Sequence, residues 1–155
     1  MPKHSMRRQD RQLSSEAAMA VLQTGEYGVV SSVGSDGQPY GVPVSYIVFE
    51  NCIDFHSALK GHKIDNFDNN ESVSFCVVGK TEVLPEKFST RYESVIVFGK
   101  ISERSGEIKT RSLKELIKKY SPEHMDSGNK YIETSQDTTR VFSISIDHIT
   151  GKARK

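Results

Sequence analysis

Two residues, Glu50-Asn51, link the strand-like run of YGVPVSYIVFE at 40–50 to CIDFHS at 52–57. Both flanking segments read as strands, rich in β-branched and aromatic residues. A two-residue link is hairpin length, whereas a crossover between parallel strands needs roughly a dozen residues or more. The spacing therefore predicts an antiparallel pair, and the neighbouring segments extend it. GVVSSV at 28–33 reaches the 40–50 strand through the turn-rich GSDGQP, and SVSFCVVG at 72–79, ESVIVFGKISE at 93–103 and RVFSISIDHI at 140–149 read as further strands. Six strands with mostly hairpin connections predict a mainly β fold, an antiparallel barrel or sandwich, with short helices between strands. Pro43, inside the second strand, calls for an edge or a bulge, where its missing N–H does no harm. A bulge there would also free backbone groups to meet a ligand.

Helical signals are few. Ser14 and Ser15 are N-cap candidates before a short face of Ala18, Val21 and Leu22, which Thr24-Gly25 stops. KIDNFDN makes a short helix ending near Asn69-Asn70. Leu113, Leu116, Ile117 and Tyr120 lie at i, i+3, i+4, i+7, with Lys118 and Lys119 in the last turn and Pro122 beyond. Residues 80–92 read as an irregular connection, and TGKARK as a basic tail. There are no repeats, heptads or low-complexity tracts.

A chain of 155 residues is long enough for one buried core, expected over 13–155 behind a polar arm at 1–12. Net charge of +1 argues against a general nucleic-acid binder, and the arm's Lys3, Arg7, Arg8 and Arg11 have no interleaved aromatics. No apolar run approaches the ~20 residues of a membrane helix. The charged start MPKHSMRRQDR has no apolar secretory core, so a cytoplasmic protein is expected. Cys52 and Cys76 lack metal-ligand spacing and read as reduced, buried packing residues.

The densest chemistry lies in FHSALKGHKIDNF at 55–67, where a strand breaks at Gly61 and restarts as a helix. Strand alternation puts His56 on the face opposite Ile53 and Phe55, with Cys52 and Asp54. His62 and Lys63 fall in the first helical turn, where cations oppose the helix dipole. Either this is a solvated basic helix start, or an anion bound there turns the free N–H groups, the dipole and Lys63 to one purpose. Phosphate-loop, dinucleotide-binding and HExxH signatures are missing, as are clustered carboxylates and the G-x-S-x-G elbow. No metal site is expected. His4, His124 and His148 read as surface or packing residues.

In order along the chain, RRQDR, PYGVPVSY, FHSALKGHK, SVSFCV, RYESVIVFGKI and HITGKAR resemble the pyridoxamine 5′-phosphate oxidase-like FMN-binding split barrels, and within them the 5-nitroimidazole-resistance group. The resemblance runs from about Met6 to Arg154. It implies a six-stranded Greek-key split barrel that pairs as a homodimer, with flavin sites at the subunit interface. Pro43, Val44 and Ser45 would lie along the isoalloxazine, and His56, Ser57 and Ala58 would line the flavin. Gly61, His62 and Lys63 would hold its phosphate, and Ser94 and Val95 would contact it from the other side. His56 would be the catalytic residue. The Arg/Lys phosphate set of true pyridoxamine phosphate oxidases is missing, so that vitamin reaction is not implied. Arg91 and Lys152 stand near motif residues as further cations.

The expected function is an FMN-dependent oxidoreductase acting on a small electron-poor compound, such as a nitroaromatic one, with NAD(P)H or another reductant as donor. The alternative is a non-catalytic flavin- or haem-binding barrel for sensing or storage, because a fold alone does not determine activity.

Overall fold

A computed structural model describes residues 4–155; the first three residues of the expected arm, Lys3 among them, lie outside the described residues. The elements in chain order are α1 (Ser15–Thr24), β1 (Gly28–Val33), β2 (Pro39–Val44), β3 (Ile47–Phe49) and β4 (Cys52–Ser57). Then follow α2 (His62–Asn69), β5 (Ser72–Leu84), β6 (Ser89–Arg104), α3 (Gly106–Tyr120), α4 (Met125–Ser135), β7 (Arg140–Ser145) and β8 (His148–Arg154). The eight strands pair antiparallel in the order β2-β1-β5-β6-β7-β4-β3, with β8 also on β6. The class is the expected antiparallel β fold with few helices, though with eight strands in place of six.

Both extra strands come from breaks that alternation hides. The 40–50 segment divides at Ser45-Tyr46, because the Tyr46 side chain is fully buried and its backbone N–H donates to the Tyr120 hydroxyl (3.0 Å). The 140–149 segment turns at Ile146-Asp147, where the Asp147 N–H donates to the Phe98 carbonyl. What read as a basic tail is β8, whose inward residues Gly151 and Ala153 are too small to show an apolar period. The Glu50-Asn51 link is a tight hairpin with both residues at positive φ (53° and 57°), as a two-residue turn of the primed type requires. Pro43 lies on β2, the edge strand beside β1, opposite Val29.

Strand β6 ties the barrel together. Its residues 92–98 pair with β8 and its residues 101–104 with β7. Gly99 lies between, where a Cβ would strike the carbonyl of Ser145, so the bend needs glycine. Residues 80–92 are ordered, not irregular. Past a register shift between Val78 and Thr81, β5 and β6 continue as a two-stranded ribbon to Leu84 and Ser89. With nearly every side chain exposed there, no apolar alternation existed to be read.

The core runs through the barrel from Val30, Phe75, Val77, Val95 and Val97 to Ile53, Phe55 and Ile144. α1 plugs one side, capped by Ser14, whose Oγ accepts from the Ala17 N–H (3.1 Å). α2 sinks Ile64 and Phe67 into the core, and its buried Asn66 donates to Ser32 on β1. α3 and α4 lie against β3, β4 and β7, where Leu113, Leu116 and Ile132 pack on Ile47 and Val141. α4 has so few apolar residues that its stretch read only as polar. Cys52 and Cys76 are free as expected, but half-buried rather than buried. No helix among the described residues is long and apolar enough to cross a membrane.

Candidate active site

β4 delivers His56 and Ser57 in succession to opposite faces. His56 is solvent-accessible on the side that α3 and α4 cover, and Ser57 is buried. His56 lines a cavity of about 260 Å³ together with Ser45, which sits at the break between β2 and β3. The walls are Leu113, Leu116 and Ile117 of α3 and Ile132 of α4, with Tyr120 and Tyr131 at the ends of the apolar surface. Ser121, Ser135 and Thr139 add hydroxyls. Partial burial, and next the charge of Lys63, hold the His56 imidazole below the usual histidine value of 6.5. Both effects favour the neutral ring over the charged one.

After β4 the chain passes through Ala58-Leu59-Lys60 to Gly61, which stands at the N-cap of α2 with no side-chain cap and open space where a Cβ would be. His62 stacks on Tyr40 of β2, with ring centroids 3.9 Å apart. Lys63 follows in the same turn, half-buried. The Ser57 Oγ is buried and has no hydrogen-bond partner. An uncapped helix start, a lysine and an unpaired buried hydroxyl thus lie within seven residues of chain, groups of the kind that take an anion. The residues present thus fit the phosphate end of a flavin mononucleotide.

Two residues of this region escaped the sequence reading. Tyr40 had no signal beyond its place in a strand. Arg140, at the start of β7 opposite Ser57, donates to the Leu59 carbonyl (3.2 Å) and pairs with Glu103 (2.6 Å), so it braces the loop before α2. That pairing crosses 81 residues of chain to Leu59, and nothing in either segment announces it.

The remaining expected contacts lie elsewhere on the chain. Pro43 is exposed and Val44 packs against the core. The Val95 side chain is 1% exposed inside the barrel, so only its backbone can meet a ligand. Ser94 is on the outer sheet face, in a shallow cleft with Lys152, Ile96, Thr150, His4 and Met6 that shares no residue with the His56 cavity. Arg91 is on the ribbon, paired with Glu82 (3.3 Å). Among the described residues no group of three or more His, Cys, Asp or Glu side chains could hold a metal.

A family model described as pyridoxamine 5′-phosphate oxidase matches residues 14–153. The chain belongs to this family, and its fold is that of the split barrels it superposes on. A candidate 5-nitroimidazole antibiotic resistance protein of Bacteroides thetaiotaomicron superposes with a TM-score of 0.75 at 19% identity, over 91% of this chain and 85% of that one. The FAD- and haem-binding protein of Mycobacterium smegmatis gives 0.81 at 18%, over 94% and 74%. The conserved protein Rv2991 of Mycobacterium tuberculosis gives 0.81 at 17%, over 96% and 90%. At these identities the likeness establishes the fold alone. Among curated proteins, no sequence matches significantly.

The electrostatics of His56 make a direct prediction. Its imidazole proton, followed by NMR, titrates below 6.5, and Lys63→Ala moves it only part of the way back, since burial is the larger cause. Folding favours the neutral ring, so this stabilisation is present above pH 6.5 and is lost as pH falls through the folded-state value. A His56 titrating at or above 6.5 would contradict this environment.

Proposed function

We propose that the chain is an FMN-binding flavoprotein that works as a homodimer and reduces a small electron-poor acceptor, nitroaromatic compounds included. The observation that carries this reading is the start of α2. Two basic residues occupy the first turn against the helix dipole, the N-cap is bare, and the buried Ser57 hydroxyl has no partner. A bound phosphate removes each of these local costs, accepting from the N–H groups, Ser57 and Lys63. Ser45 and His56 then border the ring end, beside an apolar cavity. A flavin supplies hydride or electron transfer, and NADH or NADPH is a suitable reductant for it.

His56 contributes a neutral imidazole, with one nitrogen to donate and one to accept. Its proposed role is to hold the acceptor and, after taking up a proton from solvent as imidazolium, to pass that proton on. His56→Ala should keep its flavin and lose about 10²–10⁴-fold in steady-state reduction of a nitroaromatic acceptor, with His56→Gln nearly as slow. If glutamine turns over like wild type, the residue orients and does not transfer protons.

The phosphate assignment has its own test. Lys63→Ala should weaken FMN binding about ten- to a hundredfold, the roughly 1.5–3 kcal/mol of a charge-assisted hydrogen bond, while riboflavin binding changes little. Equal losses for the two ligands would place Lys63 away from the phosphate. A haem spectrum from the purified protein, with no flavin released on denaturation, would overturn the cofactor assignment altogether.

The dimer rests on the outer face of the sheet. Pro43, Val29, Cys76, Ile96 and Thr150 stand opposite one another across β2, β1, β5, β6 and β8. Ile96 and Phe98 on this face are 43% and 41% exposed, and Val78 is 55% exposed. Apolar side chains spread over so many strands suit a partner surface. Pro43 and Ser94 lie on the same face, away from the α2 start, so a second copy docked there can complete a site that one chain leaves divided. Light scattering should show a dimer, and Ile96→Asp should yield a monomer that has lost flavin. A monomer that remains fully loaded would defeat the proposal.

A further inference from the structure

The cavity under α3 and α4 contains no charged side chain. Its walls are four aliphatic residues and two tyrosines, and its polar groups are His56 and four hydroxyl-bearing side chains, Ser45 among them. Two lysines stand at its border, Lys119 beside Tyr120 and Lys63 beside His56. The Lys119 Nζ donates to the Tyr46 carbonyl (2.9 Å) and lies 3.9 Å from the centroid of the Tyr46 ring. Lys63 belongs to the start of α2. A phosphate or carboxylate carried into this space would exchange water for aliphatic walls with no counter-charge, which costs far more than hydroxyl contacts return.

Size narrows the ligand further. At about 260 Å³ the space falls just below the ~300–1,000 Å³ of sites for drug-sized ligands, so it suits one or two rings and excludes a dinucleotide. Tyr131 and Tyr120 keep 68% and 40% of their surface exposed beside it, aromatic area that a flat ligand can cover. His56 and the hydroxyls offer hydrogen bonds to a nitro, carbonyl or amide group.

We propose that this cavity is the acceptor site and that it selects uncharged, flat, ring-containing compounds while rejecting phosphorylated and other anionic ones. The word acceptor and the assignment of Lys63 to a phosphate rest on the flavin-dependent reading above; the uncharged lining of the cavity does not. The chain would accordingly not act on the phosphorylated vitamin for which its family is named, because the second ligand meets no cation. Ser135 then becomes a specificity position: half-buried on α4, it holds its hydroxyl on the Tyr131 carbonyl (2.7 Å) and borders the space that a ring would fill.

The test is a titration of the full chain, with whatever chromophore it carries, followed through the methyl NMR signals of Ile117 and Ile132. The probes are 4-nitrobenzyl alcohol and 4-nitrobenzoate, which share a ring and differ in charge. The neutral probe should shift both methyls saturably, and the carboxylate should bind about tenfold more weakly or worse. Ser135→Phe, with its fold checked by circular dichroism, should weaken the neutral probe by about tenfold or more. Equal or tighter binding of the carboxylate overturns the proposal, as does a neutral probe that leaves these methyls unmoved. A folded Ser135→Phe that binds like wild type does the same, and if that variant misfolds, the two wild-type titrations still decide. A chain that releases no flavin refutes the reductase reading and leaves the cavity result standing. A flavin-loaded chain whose methyls ignore the neutral probe refutes the cavity alone.

Discussion

The carboxylate of Asp54 is completely buried, and it is the sole acidic or basic side chain in the buried interior among the described residues. Arg104, from the far end of β6, donates to it through Nε (3.0 Å) and through Nη2 (3.4 Å), and the buried Ser112 of α3 adds a hydroxyl (2.9 Å). Strand β4 thus meets the end of β6 and the middle of α3, both fifty or more residues further along the chain, on one charge. Removing either partner from such a buried pair typically costs about 3–5 kcal/mol, because the other charge stays desolvated. The contact clamps α3 onto β4 two residues before His56. Everything α3 places over His56, the walls of the cavity included, depends on that clamp.

A second fastening sets the other border of the site. Tyr46 fills the break between β2 and β3, and its hydroxyl donates to the Leu22 carbonyl at the end of α1. The Tyr120 hydroxyl receives the Tyr46 N–H and itself donates to the Glu26 carbonyl (2.5 Å). Lys119, held on the Tyr46 carbonyl, has its ammonium pushed down to about 8 by burial. One aromatic side chain therefore joins α1, the strand break and the end of α3, and Ser45 is carried into place beside it. The site is bordered by two rigid fastenings, while its own members keep exposed or unpaired groups.

That contrast separates structural from functional polarity in this protein. Asp54, Asn66 and Ser112 are buried and fully engaged. Ser57 is buried without a partner, as are Ser143 Oγ and Asn129 Oδ1 away from the site; beside it the His56 imidazole is biased away from its charged form, and α2 starts uncapped under two basic residues. A chain selected for stability alone would remove these local conflicts; places where local rules fail are where a ligand is to be sought.

From the residues alone came the antiparallel β class, the Glu50-Asn51 hairpin, a cap at Ser14 or Ser15, the helix through Leu113 to Tyr120 and the anomaly at 55–67. Each is a local matter: a turn length, a capping side chain, a period of 3.6, a charge against a dipole. The motif order carried the family as well. Only the tertiary structure decided that Tyr46 splits one predicted strand, and that β8 exists behind the small residues Gly151 and Ala153. It alone brought Arg140 to the loop before α2, gave Asp54 its arginine and put α3 and α4 over His56. These depend on contacts between residues far apart in the chain, whose pairing energy leaves no period or spacing in either partner. The same reason divides the expected cofactor residues, because a sheet register rather than a motif decides that Ser94 faces outward while Val95 is sealed in the core.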